Sequence, residues 1–477
     1  MTTKQSADAK ETNNNFPWGI AIFSYLISYG LIFTFFGAYF WDDWYTSFTL
    51  DGAGAKVYWD GYGWLPIHAF FQVEVLQRNP QLFRAIILLS FFFSGYFLFF
   101  ILRTLRFLTL WQVKAITILF LVLPINSARV AGNLAYTYSL LIFYFAWFLL
   151  VTKRHAIIKM VALGLFVLSF STLSLMPFFL IPCLHFAYLK LFQTENANRR
   201  SILIQGLLIS LLSPAYWLIS RYFNPPVGDA AIAYLTPTKS GIIRGLLVIG
   251  CGSSIFLKLW IDQNKGKQTS SRSLLIGLGL FSIALGSFSY ITSGRLVDTS
   301  EWMLNFVPRA SDWDSRQQLL LGLGFSVLFV GLIGELDSNF KKNGLKVLVA
   351  SCIILNFTFM QGYMLDARKQ SEVIQLLSAS ETVKSGKVIM INDLAVRYNA
   401  RGRLVRTYEW NGMLEKAFGD KSRSSAYFAY VDCNNSEIPV PDVLVTIDAS
   451  NGRFKSLLTS NIGINMTATK ISPCPAK

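Results

Sequence analysis

The sequence predicts a mainly α, polytopic membrane bundle followed by a small α/β domain. Three observations predict it. Apolar runs long enough to cross a bilayer recur along most of the chain. Lys and Arg fall in alternate connections between those runs, and acids fall in the others. Beyond residue 363 the runs stop and the composition becomes that of a soluble domain.

Hydrophobic residues make up 53% of the 477 and charged ones only 15%, which excludes a single soluble core as the home of so many apolar runs. Residues 1–17, rich in Asn, Thr and Lys at their start, read as a cytoplasmic tail. The spans then follow, about eleven in number. They lie near 18–40, 85–102, 108–125, 134–151, 156–172, 175–192, 201–219, 241–261, 273–291, 317–334 and 345–363. The first run is too long for a cleaved signal and has no small-residue cleavage site, so it reads as a signal anchor. Pro124, Pro177, Pro182 and Pro214 mark places where spans can break.

Orientation follows from the basic residues. Arg103, Arg106 and Lys114 share one connection; Lys153, Arg154 and Lys159 the next of that set; then Lys190, Arg199 and Arg200. Lys258, Lys265, Lys267 and Arg272, and finally Lys341, Lys342 and Lys346, continue the series. The opposite connections hold Asp42, Asp43, Asp51, Asp60, Glu74, Asp229, Asp298, Glu301, Asp312 and Asp314. An odd number of spans leaves the N-terminus in the cytoplasm and the C-terminus outside. The net charge of +16 is then a topology signal. It calls for no nucleic-acid partner, because no basic stripe with interleaved aromatics occurs outside these loops.

The C-terminal domain, 364–477, is expected to hold a helix at 372–383, a strand at 387–392, a helix at 409–418 and strands at 443–447 and 462–469. It has no glycine-rich phosphate fingerprint and is too small for a doubly wound nucleotide site. Cys183, Cys251 and Cys352 fall in spans and read as packing residues. Cys433 and Cys474 share the external domain, where an oxidising compartment would let them pair.

The chemistry is expected at the outer rim. Asp42 and Asp43 stand at the end of the first apolar run, flanked by Phe40, Trp41, Trp44 and Tyr45. Aromatic flanks alone are an interfacial belt. Adjacent carboxylates within it raise the cost of ionising one another, which points to use rather than decoration. The first external loop, 41–84, also carries Lys56, Asp60, Trp64 and His68, and its later half reads as an amphipathic surface helix. The loop after the seventh span carries Arg221, and the loop after the ninth carries Arg295, Arg309, Asp312, Trp313, Asp314 and Arg316. An Asp beside an acceptor hydroxyl takes its proton as general base, and arginines hold the phosphate of a lipid-linked donor as it leaves. The phosphate departs as an anion, so no general acid is needed. The cytoplasmic side offers no P-loop and no carboxylate cluster.

This arrangement resembles the GT-C class of glycosyltransferases: acids just after the first span, a long amphipathic first loop and an external C-terminal domain. Within that class it is similar to the bacterial serotype-converting glucosyltransferases of O-antigen, whose first loop carries an acidic pair and then a Trp and an Asp-Gly-Arg-Pro segment. Here the acids are Asp42 and Asp43, followed by Trp59, Asp60 and Gly61, with Tyr62 where the Arg stands and Pro66 after a longer spacer. Arg316, entering a span in Ser315-Arg316-Gln317, resembles an Arg at the same boundary of such enzymes.

The resemblance implies a GT-C-like bundle of the bacterial inner membrane that moves a sugar, with inversion, from a polyprenyl-phosphate donor to a glycan, lipid or protein acceptor of the cell envelope. It implies Asp42 as base and Asp43 as its orienting partner. Arg316 and Arg309 lead the donor-phosphate candidates, ahead of Arg295, Arg221, Arg129 and His68. Arg129 and Arg221 lie at span ends, where basic anchors are common. Lone interfacial histidines such as His68 are more often only solvated, and His155 and His185 fall on the cytoplasmic side. Lys56, Asp60, Trp64 and Trp313 are the substrate-binding candidates. No cofactor is called for, and Asp312 with Asp314 offers a divalent cation only two carboxylates. A transporter or flippase for a lipid-linked glycan is the rival from another class. Such proteins place ionisable residues near the midplane, whereas here the span interiors are nearly free of charge. An O-antigen polymerase or ligase would concentrate arginines in late external loops and would not need the Asp pair. A scaffold gives no reason for acids at a span end.

Overall fold

The computed structural model describes residues 15–49, 54, 57, 70–126, 128, 134–153, 155–193, 199–223, 225, 236–264, 271–293, 318–334, 338–427, 441–449 and 463–471. The chain is mainly helical, and every apolar run of the sequence carries helix. Four helices, Pro80–Arg103, Lys239–Leu259, Arg272–Thr292 and Lys342–Ala379, are long and apolar enough to cross a membrane. Shorter apolar helices accompany them, among them Leu110–Val122, Tyr136–Thr152, Ala156–Ser169 and Leu321–Ile333.

The first run differs from its expected single span of 18–40. It is α-helical over Trp18–Tyr29, tightens to a 3₁₀ turn over Gly30–Thr34 and then leaves the helix. At the usual rises these segments amount to about 28 Å, close to the thickness of a bilayer's hydrocarbon. Residues 35–40 are therefore a non-helical connection, and the acid pair follows that connection rather than the helix itself. The apolar composition continues through Phe35, Phe36 and Phe40 because these rings are wanted for packing: Phe35 and Phe40 are buried against Tyr363.

Local rules account for the other ends. Asn79 caps Pro80–Arg103 by accepting from Leu82 N at 2.9 Å, with Pro80 in the first helical position, where its missing N–H costs nothing. Thr109 and Gln112 form a reciprocal capping box on Leu110–Val122. That helix stops at an extended Leu123 because Pro124 follows. Helices Ser271–Thr292 and Leu321–Ile333 pack at close range. A Cβ on Gly324 would lie 2.7 Å from the Ile283 backbone nitrogen, and one on Gly279 would lie 2.8 Å from that of Leu328. Small residues of this kind let apolar helices approach where lipid gives no hydrophobic drive.

The last helix joins the two parts. Ser338–Ala379 has 42 residues, about 63 Å at 1.5 Å per residue, twice what a bilayer needs. The expected span at 345–363 and the first part of the expected helix at 372–383 are thus one continuous rod; a Ser380-capped turn, Glu381–Ser385, finishes it. The sheet that follows has the order β2-β1-β3-β4, with β1 Val388–Asp393, β2 Ser424–Tyr427, β3 Val443–Ala449 and β4 Ile464–Lys470. β1 pairs parallel with β2 and β3, and β3 pairs antiparallel with β4. Helix Thr407–Phe418 connects β1 to β2 and ends at a left-handed Gly419. Its inner face, Trp410, Met413 and Leu414, joins β1 and β3 side chains in one core with Tyr39, Trp44, Leu76, Phe83 and Ile87 of the bundle. The sheet domain therefore packs directly on the segment that carries the acid pair.

Candidate active site

The chain turns sharply at Trp41, whose φ of +46° is the one positive value among the described non-glycine residues. A tryptophan does not hold that conformation unaided; strain of this kind costs roughly 1–3 kcal/mol and persists only where the surroundings impose it. The surroundings are visible. Trp41 N donates to Glu409 Oε1 at 3.1 Å, and the Arg403 guanidinium lies 4.8 Å from the centre of the indole. The turn starts a short helix, Asp42–Trp44, on which the two acids point apart.

Asp43 is directed inward and is 1% exposed. Its Oδ2 accepts from Phe40 N at 3.2 Å and forms a buried ion pair with Arg84 Nη2. Arg84, also buried, donates to Ala38 O at 3.2 Å and lies over the Phe40 and Phe83 rings. Burial pushes the Asp43 carboxyl up to about 6, with Arg84 and the Phe40 N–H pulling the other way. A carboxylate so enclosed cannot meet an acceptor. It holds the turn.

Asp42 is half-buried and faces the sheet domain. Tyr408 Oη donates to its Oδ1 at 3.4 Å, and Thr46 Oγ1 donates to its backbone carbonyl at 2.8 Å. Burial, then the neighbouring carboxylates Asp42 and Glu409, drive the Tyr408 phenol far above its ordinary range, so it stays a donor.

Behind this face runs a buried polar chain. Arg403 Nη1 donates to Glu409 Oε2 at 2.7 Å, and Arg403 Nε to Asp366 Oδ2 at 3.1 Å. Asp366 also accepts from Gln370 Nε2 at 2.8 Å and Ala400 N at 2.9 Å, and Glu409 from Arg406 N at 2.8 Å. Burial works against the Arg403 charge, but the Asp366 and Glu409 carboxylates outweigh it and raise its basicity. Its Nη2 is enclosed and has no hydrogen-bond partner among the described residues. One turn along the long helix, Lys369 Nζ donates to Asp393 Oδ1 and Oδ2 at 2.7 and 2.6 Å, Asn399 Oδ1 at 2.7 Å and Ala395 O at 3.1 Å. Two clasps thus fasten the sheet domain to the helix and to the turn before Asp42.

Of the residues that sequence reasoning singled out, the structure describes Asp42, Asp43 and Arg221. It separates the roles of the first two as above. Arg221 is half-buried on helix Leu212–Phe223, which packs on Ala156–Ser169, Leu175–Phe178 and Arg199–Ser210; its Nη2 is enclosed without a hydrogen-bond partner. Arg129, Arg295, Arg309, Arg316, His68, Lys56, Asp60, Trp64, Trp313, Asp312, Asp314, Cys433 and Cys474 lie outside the described residues. Among the described residues no group of three His, Cys, Asp or Glu side chains is placed to hold a metal. His185 is buried, accepting from Trp147 Nε1 at 3.1 Å and meeting Thr104 Oγ1 at 2.7 Å, which marks it as a packing histidine. Sequence reasoning missed Arg84, Asp366, Arg403, Tyr408 and Glu409. Arg84 left one signal, a cation in the second turn of a proline-started apolar helix, and Asp366 another, an acid where the last apolar run ends.

No family model, curated protein or solved structure matches the chain. The site is read from its own geometry.

Proposed function

We propose that the chain is a membrane glycosyltransferase of the GT-C type that moves a sugar from a polyprenyl-phosphate donor to an acceptor hydroxyl at the outer face of a bacterial cytoplasmic membrane. The observation that carries this reading is the division of labour in the acid pair. Asp43 is locked to Arg84, and Asp42 is left half-buried beside a phenol that cannot ionise. An acid so held, at the end of a strained turn, suits a general base. Asp42 takes the acceptor hydroxyl proton, the acceptor oxygen bonds to the anomeric carbon, and the bond from that carbon to the donor phosphate breaks. Polyprenyl phosphate leaves as an anion and the anomeric centre inverts.

Arg316 and Arg309 remain the candidates for that phosphate, on their sequence position. Arg403 supplies a further cation behind Trp41, enclosed with Asp366 and Glu409, and braces the turn that carries Asp42. The positive-inside pattern supports eleven crossings with the N-terminus in the cytoplasm and the sheet domain outside. The acceptor class is a glycan, a lipid or a protein hydroxyl.

The test uses membranes containing the full chain, a labelled polyprenyl-phosphate sugar and mass spectrometry of glycans, lipids and proteins. The expected result is a new glycosidic product that depends on Asp42. If the membranes instead carry an intact solute across and form no glycosidic bond, the chain is a transporter and this reading fails. Reporter fusions after Lys153, Lys267 and Lys477 test the topology; a cytoplasmic signal from the last would remove the external site.

A further inference from the structure

A concavity of about 560 Å³ opens where the first apolar helix ends, with Tyr39 and Trp44 from either side of the acid pair in its lining. The end of the 3₁₀ turn and the connection after it (residues 33–39), the start of helix Pro80–Arg103 and the outward part of helix Ser338–Ala379 line it. Asp42 is not among its lining residues. Its size suits a small ligand or a headgroup with the start of its tail.

The lining has a definite chemical sense. Lys416 and Arg368 bring two cations, Gln81, Gln370 and Gln375 bring amides, and among the described residues no Asp or Glu lines it. The Lys416 ammonium lies 4.8 Å from the centre of the Tyr39 ring and 5.7 Å from that of Trp44, and among the described residues it pairs with no carboxylate. Aromatic faces hold a cation in place without neutralising it. An anionic oxygen in the groove would offset that charge.

The remaining wall says what the anion is attached to. Phe33, 57% exposed, and Phe36 stand at its mouth. They continue the outward face of helix Trp18–Tyr29, where Phe23, Leu26 and Ile27 are exposed. In a membrane such a face is covered by acyl chains. A free anion would gain nothing from this wall.

We propose that the groove is a lipid site: the phosphate of an anionic membrane phospholipid sits against Lys416 and Arg368, and its chain runs down over Phe36 and Phe33. This goes beyond sugar transfer and does not rest on it, because binding is measured without any sugar donor. The site would seat the end of the first helix at the headgroup level and so fix the height of the neighbouring turn.

The test uses the purified full chain in a neutral detergent, with tryptophan fluorescence as the readout. Three probes separate the sources: dioctanoylphosphatidylglycerol, dioctanoylglycerol and inorganic phosphate. The expected result is saturable binding of the first alone. Lys416→Gln and Arg368→Gln should each weaken it about tenfold, the usual weight of one charge-assisted contact. Lys384→Gln, an exposed lysine outside the groove, should leave it unchanged. Equal binding by dioctanoylglycerol or by inorganic phosphate overturns the proposal, as does wild-type affinity in both groove variants or no binding at all.

Discussion

Trp41 and Glu409 are 368 residues apart in the chain, yet the backbone N–H of one donates to the carboxylate of the other at 3.1 Å. The contact lies between a strained turn and the sheet domain. Through it the domain acts as a brace. Glu409 and the Arg403 that it orients hold Trp41 at positive φ together with the Tyr363 ring, and so keep Asp42 beside Tyr408.

Glu409→Ala is expected to be strongly destabilising, because it leaves the Arg403 guanidinium with one carboxylate and the Trp41 N–H with none. Removing one partner of a buried ion pair typically costs about 3–5 kcal/mol. Glu409→Gln keeps an acceptor oxygen for some of the three donors and should lose distinctly less. Thermal melts and limited proteolysis at the turn would show the order. A melting point for Glu409→Ala equal to wild type would mean that the clasp does not hold the domain down.

Gly412 tests the same interface from the packing side. A Cβ there would lie 2.7 Å from Trp44 Cε3, closer than real side chains allow. Trp44 is enclosed between Tyr39, Phe48 and helix Thr407–Phe418 and has nowhere to move. Gly412→Ala should therefore cost about 1–3 kcal/mol, despite the better helix propensity of alanine. A more stable Gly412→Ala would show that the helix can slide away from the turn.

How much of this was legible in the sequence depends on the range of the interaction. Strands β1, β3 and β4 announced themselves through Val388-Ile389-Met390-Ile391, Val443-Leu444-Val445 and the alternation after Ile464, patterns set by nearest neighbours. β2 did not, because Ser424-Ser425-Ala426-Tyr427 is short and polar and becomes a strand only by pairing with β1. The end of the first helix was placed too late, since Phe35 and Phe40 look like span residues and instead serve a core formed with Tyr363. The acid pair was visible as an oddity. Its division into a fully buried and a half-buried member was not, since Arg84 is 41 residues from Asp43 and Tyr408 is 366 from Asp42. No local pattern encodes such pairings.

The buried carboxyl makes a pH prediction. Asp43 titrates near 6 in the folded chain, above the 3.8 of an ordinary Asp, so between those values the folded state holds a proton that the unfolded chain has lost. Stability from this group is then fully present below about 4 and is lost as pH rises through about 6. Between pH 7.5 and pH 5 that amounts to roughly 1 kcal/mol in favour of the acid side. Asn in its place cannot titrate. Melting points of wild type and Asp43→Asn at the two pH values give the difference directly, and an identical shift in both proteins would rule out this titration.

The acid pair itself gives the decisive comparison for the proposed chemistry. Asp42→Asn keeps the size of the side chain and an oxygen for the Tyr408 hydroxyl, but it removes the basic lone pair, and a lost general base costs about 10²–10⁴ in rate. Transfer should fall by that factor while the melting point stays near wild type, because the half-buried side chain keeps its shape and its hydrogen bond from Tyr408. Asp43→Asn should do the reverse. It replaces the acceptor that holds Arg84 by a neutral amide, so the melting point moves while transfer per folded molecule stays near wild type. Arg84→Met removes the other partner and should reproduce the Asp43 phenotype rather than the Asp42 one. Initial rates of sugar transfer per folded molecule, set beside the melts, separate the two patterns. If Asp42→Asn transfers at the wild-type rate per folded molecule while Asp43→Asn does not, the roles argued from the geometry are exchanged and the half-buried carboxylate is not the base.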